Sequence, residues 1–273
     1  MGQDGAVLTP ARIEEELRQR GCPWPAPIHH LAVTPSTNDW LKERARAGVP
    51  AWTVVVADEQ TAGRGRHGRR WHSQPGDLMM SVLVRPPAAA PWLTLLPLAA
   101  GLSVAEAADS FGLSPALKWP NDVVVAQPRP EGEYRKLAGV LVEGVTEGVT
   151  SAAVVGVGVN VVPVEVPDIG GQATALRTHA RVEVERDTLA AAVLARLAVW
   201  YDALARGEAD GVLAAWTARA LPWWGRTVEV RSGEIALRGT ARGLDGRGAL
   251  LLEVAEGDVT AVLSGEARQV RVR

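Results

Sequence analysis

Past Pro222 the chain changes its period. TVEVR (227–231), IALRGTARGL (235–244), ALLLEVA (249–255) and VTAVLS (259–264) are short β-type runs, split by SGE, DGRG and EGD turns. Strands this short and this regularly punctuated predict a small all-β module of about fifty residues, a barrel. Upstream of Pro222, helical and β-rich stretches alternate instead. Two domains follow, 1–222 of mixed α/β type and 223–273 all-β, with the boundary near 222–226.

The upstream part is long enough for its own core, since the whole chain has 273 residues. The whole chain's formal net charge of −2 excludes a molecule built overall to coat nucleic acid or anionic lipid, so any basic chemistry is local. Cys22 is the single cysteine, which excludes an intrachain disulfide and a thiolate metal cluster and fits a reducing, cytoplasmic compartment. The first residues, MGQDGAVLTPARIEEEL, carry acids where a signal peptide has a basic start and an apolar core. PPAAAPWLTLLPLAAGLSVA (86–105) is uncharged but holds four prolines, so it reads as a loop and a buried helix, not a membrane span.

Capping signals predict a helix from Pro10 to Gly21 and a second after Ser36-Thr37-Asn38-Asp39, ending at Gly48. TVVVA (53–57) and LMMSVLVR (78–85) read as buried strands joined by a polar loop, 58–77. A helix over 95–110 tolerates Pro97 only in its first turn. LKWPNDVVV (117–125), KLAGVLVEGV (136–145) and SAAVVGVGVNVV (151–162) are β-rich, and 126–135 reads as a mobile hairpin tip. Helices follow over 187–207, with Asp187 as N-cap, and 208–221.

TAGRGRHGRRW (61–71) is the exception to the chain's even charge. Its glycines spell G-x-G-x-x-G, yet Pro75-Gly76 and a strand come next, where a dinucleotide fingerprint requires a helix and a later acid. A solvated basic loop would carry the same charges. However, glycines between arginines let backbone N–H groups and guanidinium forks approach one anion together, and Trp71-His72 closing the run is odd for a purely solvated loop. KWPND (118–122) sets a cation, an aromatic, a rigid turn, an amide and a carboxylate side by side, which also suits a plain turn between strands. Lys136 starts an otherwise apolar strand, as an end cap or as a charge aimed into a cleft. The five histidines show no metal-ligand spacing, and no metal site is assigned.

Ser36-Thr37-Asn38, EQTAGRGRHGRRW (59–71), KWPND, RKLAGVLVE (135–143) and GVGVN (156–160), in this order, resemble the biotin protein ligases. The resemblance spans about residues 31–270. It implies a mixed-sheet catalytic domain like class II aminoacyl-tRNA synthetases followed by an SH3-like barrel. It also implies two steps: biotin and Mg²⁺·ATP give biotinyl-5′-adenylate, which then acylates a lysine of a biotin carboxyl carrier domain. Residue by residue, Ser36, Thr37, Asn38 and Gln60 match the family's biotin contacts. Arg64, Gly65 and Arg66 match the loop over biotin and the adenylate phosphate, with Arg69 and Trp71 on the adenylate side. Lys136 matches the lysine near the biotin carboxylate and α-phosphate. Lys118, Trp119, Asn121 and Asp122 match the ATP side, and Asn160 an asparagine near the adenylate. Lys136, Arg66 and Lys118 are the implied catalytic residues. About 35 residues precede the Ser-Thr-Asn triplet, too few for the helix-turn-helix of repressor relatives, so the expectation is a short form with no nucleic-acid or membrane partner.

A lipoate-type ligase would share the fold and the adenylation logic, although GRGR-x-GR and KWPND favour biotin. A nucleic-acid contact at 61–71 would also use the arginines, but the near-neutral chain and the single glycine-broken basic run weigh against it.

Overall fold

The structure is a computed structural model that describes residues 8–87, 90–126, 133–147, 150–163 and 172–270. Its larger part is a seven-stranded sheet of β1 (Ile28–Thr34), β2 (Val54–Gln60), β3 (Leu78–Val84), β4 (Ala116–Lys118), β5 (Asp122–Ala126), β6 (Tyr134–Glu147) and β7 (Thr150–Val159). The order is β1-β2-β3-β7-β6-β5-β4. Only β1 and β2 pair in parallel, because α2 (Thr37–Arg46) carries the chain back between them. The rest of the sheet is antiparallel.

One sheet face is closed by α1 (Pro10–Gln19), α3 (Leu96–Asp109), α4 (Arg186–Ala205) and α5 (Ala209–Ala218). Val54, Val56, Met80, Val82, Val155 and Val157 belong to the core on that side. The opposite face takes α2, whose Leu41 and Ala45 pack with Val55, Leu83 and Val154. The uncharged run at 86–105 becomes α3, buried on nearly every side between the sheet, α4 and α5, with Pro97 in its first turn. That position explains why its sequence is apolar all round. Among the described residues only α4 is long and apolar enough by composition to cross a membrane, and its Leu189, Val193, Leu194 and Leu197 lie in this core.

Several expectations shift. β1 carries no clear strand signal in its sequence, because its edge position leaves Ala32 and Val33 exposed and no clean alternation. The run 117–125 is two strands, β4 and β5, separated at Trp119-Pro120-Asn121. Asp187 is not the N-cap of α4. Glu185 holds that place, and the Asp187 carboxylate accepts the Thr9 N–H at 2.9 Å, tying the start of α1 to α4. The tip expected at 126–135 lies for residues 127–132 outside the described residues.

The C-terminal part is a five-stranded antiparallel sheet of β8 (Thr227–Ser232), β9 (Ile235–Leu244), β10 (Leu250–Ala255), β11 (Asp258–Val262) and β12 (Glu266–Gln269). Its turns seat on the larger part. A β-carbon on Gly248, where φ is +76°, would stand 2.8 Å from Leu98, so only glycine lets the β9–β10 turn approach α3. The Gly248 carbonyl accepts the Trp119 indole N–H at 3.0 Å.

Candidate active site

Directly paired residues of antiparallel strands share a face. One row across the sheet is Ser81 of β3, Gly156 of β7 and Leu141 of β6. The next is Met79, Gly158 and Gly139. This face carries the cleft, and the glycines make the room. A β-carbon on Gly156 would stand 2.2 Å from Asn38 Oδ1, and one on Gly158 2.5 Å from the Trp71 ring.

At one end of the floor stands the start of α2. Ser36 caps the helix. Asn38 Oδ1 accepts from the Ser81 hydroxyl at 2.6 Å, while its Nδ2 donates to Leu141 O at 3.2 Å and Glu143 Oε2 at 2.8 Å. Gln60 Oε1, at the end of β2, accepts from the Thr37 N–H at 2.9 Å and the Thr37 hydroxyl at 3.1 Å. Ser36, Thr37 and Asn38 are all buried, so this network is set before any ligand arrives.

The arginine loop folds over the floor as a tight hairpin. The Gly65 N–H donates to Arg69 O at 2.7 Å and the Trp71 N–H to Gly63 O at 3.0 Å. His67 turns through the left-handed region at φ 54°. Three of its arginines reach the surrounding walls. Arg64 donates to Asp39 at 2.7 Å and Glu143 at 2.6 Å. Arg66 donates to Asn121 Oδ1 at 3.2 Å and Gly265 O at 3.4 Å, and Arg69 pairs with Glu266. Burial pulls the Arg66 guanidinium below its usual pKa despite the attraction of Asp122, with Arg69 adding to the fall. Burial likewise favours the neutral form of Glu143, but hydrogen bonds from Asn38, Arg64 and Lys42 hold it below the usual carboxylate range.

The opposite wall is the β4–β5 turn with β6. Asp122 Oδ1 lies 2.6 Å from Lys136 Nζ, and Oδ2 lies 3.5 Å from Lys118 Nζ. Burial pushes the Asp122 carboxyl up, and the two ammoniums more than reverse it, holding it below its ordinary value. The β5–β6 register slips between Val123 and Val124, leaving Leu137 unmatched beside Lys136. The Lys136 backbone turns outward instead, donating to Gln172 O at 2.8 Å and accepting from the Thr174 N–H at 2.9 Å.

Ser36, Thr37, Asn38, Gln60, Arg64, Gly65, Arg66, Arg69, Trp71, Lys118, Trp119, Asn121, Asp122 and Lys136 all line this one cleft. Two expected positions differ in detail. Trp119 offers little ring surface to the cleft, being 3% exposed and held by Gly248. Asn160 is outside the lining. Its Nδ2 donates to Lys136 O at 3.2 Å and Thr174 O at 3.1 Å, bracing the lysine from behind. Sequence reading missed Ser81, Asp39, Glu143, the glycine rows and Gly265-Glu266. A lone hydroxyl in LMMSVLV and the alternating glycines of GVGV were readable signals. Nothing local marks Glu266, which pairs with Arg69 almost two hundred residues away. The chain has three lysines, Lys42, Lys118 and Lys136. Lys118 and Lys136 line the cleft, and Lys42 sits beside it on Asp39 and Glu143.

Fold and site together define a class: a mixed-sheet catalytic domain with a cationic, glycine-floored cleft, completed by a β-sheet module. Residues 30–160 match the Biotin/lipoate A/B protein ligase family, and 224–267 match the Biotin protein ligase C terminal domain. A Biotin--[acetyl-CoA-carboxylase] ligase of Mycobacterium tuberculosis is 36% identical over 283 residues, covering 97% of this chain and 98% of that protein. The Bifunctional ligase/repressor BirA of Bacillus subtilis is 34% identical, over 84% of this chain and 70% of that one. The solved biotin protein ligase from Aquifex aeolicus, in complex with biotin and ATP, superposes with a TM-score of 0.74 at 32% identity, covering 90% and 99% of the two chains. The chain belongs to the biotin protein ligase family.

Proposed function

We propose that this enzyme joins biotin to ATP as biotinyl-5′-adenylate and passes the biotinyl group to a lysine of a biotin carboxyl carrier domain. The observation that carries the reading is convergence. Four sequence-distant motifs meet in one cleft that pairs a small polar network at one end with clustered cations at the other. Biotin's carboxylate, with a pKa of about 4–5 by analogy with side-chain carboxyls, is ionised at neutral pH and needs no general base. Its oxygen attacks the α-phosphorus as the bond to pyrophosphate breaks. The barrier is repulsion between anions, and Arg66, Lys118 and Lys136 offset it and hold the reactants in line. In the second step an amine nitrogen attacks the acyl carbon and AMP leaves with the bridging oxygen.

Ser36, Thr37, Asn38 and Gln60, with Arg64 and Gly65, suit the biotin end, a small apolar ligand with one ureido group. Arg69, Trp71, Trp119, Asn121 and Asp122 suit the nucleotide end, and Asn160 supports Lys136. Mg²⁺ belongs to the co-substrate. Asp122, Glu143 and Glu266 are each committed to cations, so this donor set suits a metal arriving on the triphosphate rather than in a protein cage.

Ligase activity without operator binding is part of the proposal. The M. tuberculosis relative, matched over 98% of its length, bears the ligase name alone. We also place the reaction in the cytoplasm, in keeping with the single cysteine and the need for ATP. The test is the intact mass of a purified carrier domain after incubation with enzyme, biotin and ATP. The expected result is one biotinyl adduct, absent without ATP and not replaced by a lipoyl adduct when lipoate is supplied. An unmodified carrier together with no biotin-dependent ATP–pyrophosphate exchange would sink the reading.

A further inference from the structure

Lys118 is a buried cation with a divided partner. Its side chain is 7% exposed, and a buried ammonium has to be compensated. The carboxylate that faces it, Asp122, makes its close contact with Lys136 at 2.6 Å and stands 3.5 Å from Lys118. The second compensation comes from Tyr134, at the start of β6, whose ring centroid is 5.2 Å from Lys118 Nζ. Tyr134 is not part of the cleft lining. Its ring is braced in turn by Trp223, at 6.2 Å and 59°, where the chain enters the C-terminal sheet.

Lys136 repeats the arrangement, with Nζ 5.4 Å from the Trp71 ring. One carboxylate thus sits between two ammoniums, and each ammonium has its own aromatic face. A second carboxylate would neutralise the pair and occupy its N–H donors. A ring face offsets charge through its quadrupole and accepts no conventional hydrogen bond. The donors stay available to an anion while the cations stay in place.

We propose that Tyr134 is a positioning residue for Lys118, holding its ammonium by a cation–π contact so that its N–H groups are delivered to the nucleotide phosphates. The proposal rests on the ligase reading above. Its test has two arms, and the first needs no catalysis. Only three lysines exist, so ¹³C-lysine labelling gives three ε-methylene signals, with Lys118 assigned through Lys118→Arg. The Lys118 signal is expected upfield in the wild type and in Tyr134→Phe, and at the ordinary position in Tyr134→Leu. In the second arm, Tyr134→Leu lowers kcat/KM for ATP in biotin-dependent pyrophosphate exchange by about three- to thirty-fold, the range a cation–π contact accounts for. Biotin binding without nucleotide is unchanged, and Tyr134→Phe restores the ATP term.

An unshifted Lys118 signal in the wild type overturns the proposal. So does Tyr134→Phe behaving like Tyr134→Leu, or a Tyr134→Leu protein that loses biotin and ATP affinity together. A wild type that shows the upfield signal but no biotin-dependent exchange refutes the ligase reading and leaves the Tyr134–Lys118 contact standing.

Discussion

At Gly158 a single hydrogen atom in place of a side chain decides whether the cleft has a floor. Its ideal β-carbon would lie 2.5–2.8 Å from three atoms of the Trp71 indole, inside any real contact. Gly158→Ala therefore has to lift Trp71, and with it the end of the arginine loop. The mutation lies on a strand at a non-left-handed φ, so the fold tolerates it while the cleft does not. The expected outcome is an unfolding midpoint within a few degrees of wild type and biotin affinity reduced by tenfold or more, on the order of 1.4 kcal/mol. Calorimetric titration with biotin checks it, and unchanged affinity would show that Trp71 is not seated there in solution. The triplet 36–38, Gln60 and the two lysines were legible because each sits in a distinctive local run. The glycines were legible only as part of a motif, since one sequence does not say which side chain a missing β-carbon makes way for.

Among the elements, the loop between β2 and β3 is anchored at its far end by Asp77. The buried Asp77 carboxylate accepts N–H groups from Gln74 at 3.1 Å, Val161 at 2.9 Å and Val162 at 3.4 Å, joining the loop to the exit of β7. Burial raises its carboxyl to about 6, outweighing these donors and Arg186. The folded value stands above the unfolded one, near 3.9, so the folded state holds the extra proton between them. Stability from this group is therefore full below about pH 3.9 and is lost as the pH rises through about 6. Asp77→Asn removes the titration. Relative to wild type it gains up to about 3 kcal/mol between pH 4 and pH 7, whatever its constant offset from altered hydrogen bonding. Urea denaturation at pH 4, 5.5 and 7 measures that slope, and parallel curves would exclude it. The loop itself read as polar and glycine-rich from its residues. Its internal anchors were not legible, because Asp39, Glu143 and the pair Gly265-Glu266 come from three separate stretches.

For the whole molecule, the change of period at Pro222 announced a second structural unit, and four of its five strands stood out in the sequence. What the periodicity did not convey is how far that unit completes the first. Gly248 covers Leu95 and Leu98 and holds Trp119, while Gly265 and Glu266 reach the arginine loop. A chain ending at residue 222 would leave Trp119, Leu95 and Leu98 uncovered, Arg69 without Glu266, and Arg66 with Asn121 but without Gly265. Such a protein is expected to bind 1-anilinonaphthalene-8-sulfonate and to lose adenylation altogether. A truncated chain with native-like activity would mean that the C-terminal sheet is only an appendage. The distribution of amines carries a last consequence. Under the proposed reaction the enzyme makes a mixed anhydride that acylates amines, yet of its 29 lysines and arginines only three, Lys42, Lys118 and Lys136, are lysines. A guanidinium stays protonated at any physiological pH and is no nucleophile. The outer surface therefore presents its own product with no lysine to consume it. The three lysines that remain are each held on a carboxylate, Lys118 and Lys136 on Asp122 and Lys42 on Asp39 and Glu143.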